Sequence, residues 1–212
     1  MEERKSGRAE ERKSGRAEEN VMPRTIEFDT PVQLLTERLK LRQWRPRDLP
    51  VFAAMNADPE VMKFFPAPLS RQESDAMANQ IGSLITANGW GLWAIERLED
   101  ERFIGFVGLH EPMYVFPFSP CVEIGWRLSR DTWGQGMATE GANEALKFAF
   151  EGLGLDQVVS FTPTVNARSR AVMERLGMVN SQADFDHPAL EDDDSLLRHA
   201  LYHINRDHWQ QR

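Results

Sequence analysis

The chain has 212 residues and contains no apolar run near the length of a membrane-spanning helix, so we expect one folded domain that does not cross a membrane. Its formal net charge of −8 argues against a broad nucleic-acid-binding face, and its single cysteine, Cys121, excludes an internal disulfide. The strongly charged N-terminus lacks the apolar centre of a secretory signal, which predicts a cytoplasmic protein.

The N-terminus carries a charged tandem repeat. Residues 3–10, ERKSGRAE, recur unchanged at residues 11–18, and six Lys or Arg balance six Glu within the first 20 residues. A segment with so few apolar side chains cannot bury enough surface to offset the entropy that it loses on ordering. We therefore predict a disordered charged tail over residues 1–24 and a single domain over residues 25–212.

The domain begins with a predicted strand and two short predicted helices. In residues 38–44, RLKLRQW, polar and apolar side chains alternate well enough for a first strand. Residues 48–55 and residues 59–65 then predict short helical pieces, which Pro66 and Pro68 interrupt.

A longer helix is predicted over residues 70–89. Ser70 and Glu73 match the S-x-x-E capping box, and apolar side chains recur behind them at helical spacing. Asn88 and Gly89 supply the end of the helix.

Three β-rich runs follow that helix. Residues 90–96 and residues 102–109 are separated by a polar turn and predict a hairpin. In residues 121–128, CVEIGWRL, apolar side chains alternate with a set that includes Glu123 and Arg127. We expect the three runs to form an antiparallel meander, and we interpret Cys121 as a small apolar residue at the start of its strand.

The second part of the domain alternates helices and strands. Alanines that recur at helical spacing over residues 138–149 predict a helix, and residues 157–162 predict a buried strand. Asn166 is a candidate N-cap of another helix that Gly177 ends, and residues 196–204 predict a closing strand. This order predicts an α/β (α+β) fold, with a mixed and mostly antiparallel sheet and helices on both faces.

Two glycines, Gly134 and Gly136, stand just before a helix, where unpaired backbone N–H groups and the helix dipole favour an anion. A P-loop is excluded because Met137 and Ala138 stand where Lys and Ser or Thr are required. A dinucleotide fingerprint is weakened by Thr139 in place of the third small residue. An acyl-CoA pyrophosphate remains, beside the alternative of a tight turn that needs glycine for its geometry alone.

The order of several motifs resembles a known family. These motifs are TERLKLRQW at residues 36–44, GWGLWAIE at 89–96, FIGFVGL at 103–109, EIGWRL, WGQGMATEGANEAL and NARSRAVMERLGM. Over roughly residues 33–206 they are similar to the GNAT N-acetyltransferases, specifically to the branch of the RimJ/RimL ribosomal-protein acetyltransferases. The resemblance implies the GNAT fold and an enzyme that transfers acetyl from acetyl-CoA to a primary amine, on a protein N-terminus or a small molecule.

The resemblance also implies where acetyl-CoA binds. In the family loop Q/R-x-x-G-x-G/A, Gly136 and Ala138 fill the last two places, and Trp133 stands where Gln or Arg is usual. The strand before the loop pairs with the pantetheine arm, and Asn166 and Ser169 match the family's N-x-x-S, although an N-cap beside a solvent-facing serine explains them equally. The implied cofactor-binding residues are Ile124, Trp126, Leu128, Trp133, Gly134, Gln135, Gly136, Met137, Ala138, Thr139, Asn166 and Ser169.

Catalysis requires a base near the thioester, because an ammonium group has no lone pair with which to attack. Glu123 lies on the strand that pairs with pantetheine and is our first candidate, while a salt bridge to Arg127 is the alternative interpretation. Many GNAT enzymes protonate the departing thiolate with a tyrosine, but Met173 stands at that position here. Ser169 and Tyr202 are the remaining candidates for that role.

The missing tyrosine leaves a second function open, a catalytically silent acyl-CoA-binding sensor or interaction module. We expect a monomer or homodimer and predict no metal site. His199 and His203 fit a strand, on which four residues span about 13 Å and separate the two rings too far for one ion.

Several side chains have two interpretations each. Trp90, Trp93, Phe116 and Phe118 fit either an aromatic acceptor cleft or ordinary packing. Residues 186 and 187, Asp-His, lie in a predicted loop that is similar to a segment near the acceptor side of this branch, and a plain solvated loop is the alternative.

Overall fold

The computed structural model describes residue 28, residues 30–192 and residues 194–212, so the predicted tail at residues 1–24 lies outside the described residues. The strands are β1 (Leu34–Leu35), β2 (Leu39–Arg42), β3 (Leu92–Arg97), β4 (Phe103–His110), β5 (Glu123–Leu128), β6 (Gln157–Pro163), β7 (Val179–Asn180), β8 (Phe185–Asp186) and β9 (Arg198–Asn205). Within the described residues they form one open sheet in the order β1, β2, β3, β4, β5, β6, β9, β7, with β8 on β9. Neighbouring strands are antiparallel except β5 and β6, which confirms the predicted mixed sheet.

The helices are α1 (Leu49–Ala57), α2 (Arg71–Asn88), α3 (Met137–Lys147), α4 (Ala167–Arg175) and α5 (Arg206–Gln210). On one face of the sheet, Phe52 of α1 and Ala78 of α2 pack with Phe106 of β4. On the other face, Gly141 of α3 lies against Val107, the residue that follows Phe106 along the strand. Helices therefore cover both faces, as predicted, and none in the described part of the chain is long and apolar enough to span a membrane.

The ends of two helices form as their cap residues predict. Ser70 Oγ accepts a hydrogen bond from the Glu73 N–H at 3.3 Å, and the Glu73 carboxylate accepts one from the Ser70 N–H at 2.7 Å. Gly89 ends α2 with a left-handed φ of 80°. Asn166 caps α4 by accepting a hydrogen bond from the Ser169 N–H.

The helix predicted at residues 59–65 is wrong. The segment forms turns, closed by hydrogen bonds from Met62 N–H to Asp58 O and from Phe65 N–H to Met62 O. A single helical turn fixes several residues for one hydrogen bond, and Pro66 prevents the segment from extending far enough to offset that cost.

A buried ion network joins β2 to β3. Arg42 is 1% exposed and pairs with Asp48 at 2.7 Å and with Glu96 at 2.8 Å. Arg45 and Arg47 also reach the Glu96 carboxylate, each at 3.0 Å. Because every charge in this network has an opposite partner, the pairing offsets much of the hydration that the groups lose on burial.

Candidate active site

The sheet opens between β5 and β6, which are parallel neighbours linked through α3. Their register contains one pair, Glu123 with Val159, and the Val159 N–H donates to Val122 O at 3.0 Å. Ser160 Oγ then donates to Ile124 O at 2.9 Å. Beyond this point the two strands diverge, and we call the space between them the β5–β6 gap.

Alternate residues of β5 direct their backbone into the β5–β6 gap. The Ser129 N–H donates to Ile104 O of β4 at 2.9 Å, so the odd-numbered residues of this strand face β4 and the even-numbered ones face β6. Leu128 O accepts from Trp133 Nε1 at 3.0 Å. The N–H and C=O of Trp126 therefore point into the gap, where an extended ligand can pair with them as a strand would.

The N-terminus of α3 lies at the open end of the gap. Gly134 and Gly136 have left-handed φ values of 75° and 77°, and Gly136 is an N-cap without a capping side chain. The first intrahelical hydrogen bond runs from Glu140 N–H to Gly136 O. The backbone donors that precede this bond belong to Met137, Ala138 and Thr139.

Arg38 brings a cation to this turn. Its Nη1 donates to Gln135 O at 3.0 Å, and its guanidinium pairs with the Glu140 carboxylate at 2.6 Å. Thr36 Oγ1 donates to the same carboxylate at 2.6 Å. Burial alone would raise the pKa of Glu140, but the bonds from Thr36 and Arg38 outweigh it and lower the pKa. The acidic side chain in the first turn of α3 is thus neutralised by its partners.

Trp133 contacts the start of α4. The Arg168 guanidinium lies 4.4 Å from the centroid of the Trp133 ring, which is a cation–π distance. The Arg168 cation therefore lies over Trp133, the residue at the loop position where Gln or Arg is usual. Close by, Asn166 Nδ2 donates to Ser169 Oγ at 3.1 Å and to Thr162 Oγ1 at 2.9 Å.

Glu123 lies at the closed end of the gap. Its carboxylate accepts a hydrogen bond from Nε2 of His110, its cross-strand partner on β4, at 3.0 Å. Burial disfavours the charged imidazolium, but the hydrogen bond and charge of Glu123 outweigh this and raise the pKa of His110. Arg127 instead donates to Asn56, so the alternative interpretation of a Glu123–Arg127 salt bridge is wrong.

Tyr202 has both hydroxyl interactions occupied. Its hydroxyl accepts from Arg170 Nε at 3.2 Å and donates to Glu174 Oε1 at 3.1 Å, and the residue is buried on β9. Near the closed end of the gap, burial and a neighbouring carboxylate raise the pKa of Cys121 to about 11. A thiol with that pKa stays protonated, in agreement with our interpretation of Cys121 as a packing residue.

The candidate aromatic residues fall into two groups. Trp90 and Trp93 are buried in the main core, so they are packing residues. The second group is an aromatic cluster around Phe161 of β6 and His199 of β9, whose rings are Phe116, Phe118, Phe161, Phe185, His187 and His199. Burial lowers the pKa of both histidines of this cluster, and β9 places His199 on a strand, as predicted.

The sequence profile of the family described as "Acetyltransferase (GNAT) domain" matches residues 38–179, more than half of the chain. The chain belongs to the GNAT acetyltransferase family. Among its GNAT relatives, an FsC-acetyl coenzyme A-N(2)-transacetylase from Aspergillus fumigatus is 33% identical over 167 residues, which cover 73% of this chain and 68% of that protein.

Two solved structures have a similar fold. An acetyltransferase from Agrobacterium tumefaciens superposes with a TM-score of 0.67 at 27% identity, over 86% of this chain and 99% of that one. A ribosomal-protein-S5-alanine acetyltransferase from Vibrio fischeri gives a TM-score of 0.66 at 18% identity, over 84% of this chain and 98% of that one. The predicted GNAT fold is therefore confirmed, and the chain is an acyltransferase of a family that uses acetyl-CoA and an amine acceptor.

Three residues at the GNAT site escaped the sequence analysis. His110 directly follows the strand predicted over residues 102–109, and its position opposite Glu123 depends on strand register, which the sequence does not reveal. Arg38, just before β2, and Arg168, in α4, reach the turn before α3 from far away along the chain. One feature of the sequence pointed to these cations. Trp133 is aromatic at a position that usually carries a polar side chain, which suggests that another residue supplies the positive charge.

Proposed function

We propose that this GNAT enzyme transfers acetyl from acetyl-CoA directly to a primary amine within a ternary complex, and that it falls in the RimJ/RimL-like branch. The motifs of residues 121–139 and 166–178 support the branch. The observation that carries the mechanism is the β5–β6 gap, which has a carboxylate, Glu123, at its closed end and an uncapped helix N-terminus at its open end.

The residues around the gap fit acetyl-CoA. The unpaired N–H groups of residues 137–139 suit the pyrophosphate, and a Cβ built at Gly134 would meet no atom within 4 Å. The backbone of Trp126 suits the amides of the pantetheine arm. We assign Arg168 to the phosphate charges, because Trp133 itself carries no charge, and Arg38, whose charge Glu140 offsets, adds hydrogen-bond donors beside them.

We assign the role of general base to Glu123. Acetyl-CoA supplies a thioester, whose C–S bond breaks with its electron pair on sulfur as the amine nitrogen bonds to the acetyl carbon. The ammonium form of the acceptor loses two protons overall: Glu123 takes one, directly or through a water, and the thiolate receives the other. His110 is a positioning residue that holds the Glu123 carboxylate by its Nε2 hydrogen bond.

Of the two candidate proton donors, Ser169 fits better than Tyr202. Ser169 Oγ accepts a hydrogen bond from Asn166, so its own O–H is free to pass a proton to the thiolate while Oγ takes up the second proton of the acceptor amine. The hydroxyl of Tyr202 already donates its proton to Glu174.

The test is Glu123→Gln, with Glu111→Gln as a control that removes an exposed carboxylate nearby. Free thiol release is measured with a panel of primary amines, peptide N-termini and FsC, the compound in the name of the Aspergillus relative. We expect Glu123→Gln to lower kcat by about 10²–10⁴-fold with little change in acetyl-CoA affinity, and the control to retain activity. A loss below about tenfold would remove Glu123 from this role.

Thermal stabilisation by coenzyme A separates binding from catalysis. Stabilisation of the wild type together with thiol release supports the enzyme. Stabilisation without thiol release over the whole panel would favour the acyl-CoA sensor, and no stabilisation at all would contradict both functions.

A further inference from the structure

The two faces of β5 have different surroundings. Trp126 pairs with Val107, which lies against Gly141, so the even-numbered side chains face α3. The odd-numbered side chains, among them Glu123 and Arg127, face the side that α1 and α2 cover. An acceptor amine that approaches Glu123 from its side-chain face therefore shares that side of the sheet with Arg127.

Arg127 is buried on this face, with 8% of its surface exposed. Its Nη1 donates to Asn56 Oδ1 at 2.7 Å and lies 3.9 Å from Met77 Sδ. Its guanidinium carbon is 4.0 Å from the ring centroid of Phe65 and 5.5 Å from that of Phe106. One amide and two aromatic rings thus hold the cation in place.

No carboxylate in the described part of the chain forms an ion pair with Arg127. Its Nε is buried without a hydrogen-bond partner, and both of its described side-chain bonds use Nη1. Burial lowers the pKa of Arg127 to about 10, so the group remains cationic at neutral pH. By contrast, the buried Arg42 has two carboxylate partners.

Open space lies at Gly125, on the same face of β5 as Arg127. Gly125 lies between Glu123 and Arg127 on the same face, and a Cβ built on it would meet no atom within 4 Å. At about 3.3 Å per residue, the Cα atoms of Glu123 and Arg127 are about 13 Å apart. Phe65, whose ring lies over the guanidinium, is 38% exposed, so the side chain that covers the buried guanidinium is itself at the surface.

We propose that Arg127 binds a carboxylate of the acceptor, so that the acceptors of this enzyme are amines that also carry a carboxylate. The Nε–Nη2 edge of a guanidinium matches the two oxygens of a carboxylate in a bidentate pair. The acceptor amine lies near Glu123, its carboxylate lies at Arg127, and the chain that joins them passes over Gly125. The inference rests on the proposed function, because it assigns a substrate class to the same site.

The first experiment compares matched acceptors. Linear ω-amino acids of two to six carbons and dipeptides with free C-termini are each paired with their primary amides, and kcat/KM is measured by thiol release. For at least one length we expect the carboxylate to be preferred by tenfold or more. Equal use of acid and amide at every length would overturn the proposal.

Variants of Arg127 then test whether its guanidinium causes the preference for carboxylate acceptors. Arg127→Gln should bring the acid-to-amide ratio near one, Arg127→Lys should keep part of it, and Arg175→Gln, an exposed residue on α4, should leave it unchanged. The comparison of ratios between variant and wild type cancels the difference in amine pKa between an acid and its amide. An acid preference that survives in a folded Arg127→Gln variant would also overturn the proposal.

A binding measurement keeps this test separate from that of the proposed function. The wild type, with coenzyme A present, is heated with the N-acetylated product of each acid or with that of its amide. Stabilisation by acid products alone supports the carboxylate site even if no acceptor turns over, a result that would contradict only the proposed function. Equal stabilisation by both products would show that Arg127 has a packing role.

Discussion

At the scale of single residues, the His110–Glu123 pair couples a titrating group to the proposed base. The two side chains are partly exposed, His110 by 33% and Glu123 by 12%, so the pair lies where solvent and an acceptor can reach it. A protonated imidazole donates a charge-assisted hydrogen bond, which is stronger than the bond from the neutral ring. The orientation of the Glu123 carboxylate is therefore firmest when His110 carries its proton.

This coupling predicts a pH-dependent contribution to stability. The folded pKa of His110 is raised above its ordinary value of 6.5, so the pair stabilises the protein fully below about pH 6.5 and loses this effect as the pH rises through the folded pKa. We expect the difference in Tm between the wild type and His110→Gln to be largest near pH 5.5 and to shrink by about pH 8.5. Thermal unfolding across this range checks it, and a difference that grows with pH would contradict the assigned shift.

Single-residue prediction succeeded where the information is local. Strand alternation placed Glu123 and Arg127 on one face of β5, and the sequence N-x-x-S placed Asn166 at a helix cap. The partners of these residues did not follow, because Glu123 meets His110 through strand register and Arg127 meets Asn56 through the packing of α1 on the sheet. The sequence of residues 121–128 is equally compatible with these contacts and with a Glu123–Arg127 salt bridge.

At the scale of elements, the contribution of the turn before α3 to stability can be measured separately from its contribution to ligand binding. An alanine at Gly136 must adopt a φ of 77°, which costs about 1 kcal/mol, and its Cβ would lie 3.7 Å from Arg38 Nη2, in the turn proposed to hold the pyrophosphate. We expect Gly136→Ala to lose about 1 kcal/mol of unfolding free energy and about tenfold in coenzyme A affinity. Urea unfolding and a binding titration measure the two effects.

Gly154 provides a matched control for this variant. It has a similar φ of 68°, and a Cβ built on it would meet no atom within 4 Å, but it follows the helical segment after α3, away from the gap. Gly154→Ala should therefore lose similar stability and keep its coenzyme A affinity. Equal weakening of binding by both variants would show that the turn acts through stability alone.

Elements with their own periodicity or caps were predictable, and elements that depend on distant partners were not. The long helix α2 and the strands β3, β4 and β5 carry their pattern and their ends within a few residues of sequence. The two-residue strands β1, β7 and β8 are too short for alternation to be visible. The divergence of β5 from β6 also left no local signal, since the residues of both strands suit a continuous sheet equally well.

At the scale of the whole molecule, the buried arginines Arg42 and Arg127 differ in their partners. Arg42 is paired with carboxylates, and this paired arrangement supports the fold. Arg42→Met leaves the Asp48 and Glu96 carboxylates buried without their main partner, for which we expect a loss of about 3–5 kcal/mol in unfolding free energy. The exposed Arg97–Asp100 pair is the control, and Arg97→Met should cost much less. Urea unfolding of both variants checks the contrast, which similar losses would refute.

The single pair between β5 and β6 also has a mechanical consequence. The described sheet has two halves, one formed by β1 to β5 and the other by β6, β9 and β7. The two halves are paired at Glu123 and Val159, and this pair is the pivot for any rotation between them. A small rotation of one half against the other displaces residues far from this pair most and the pair itself least. In the proposed complex, the phosphate-bearing end of acetyl-CoA lies at the wide end of the gap, where such a rotation changes distances most, and the reacting atoms lie near the pivot, where it changes them least.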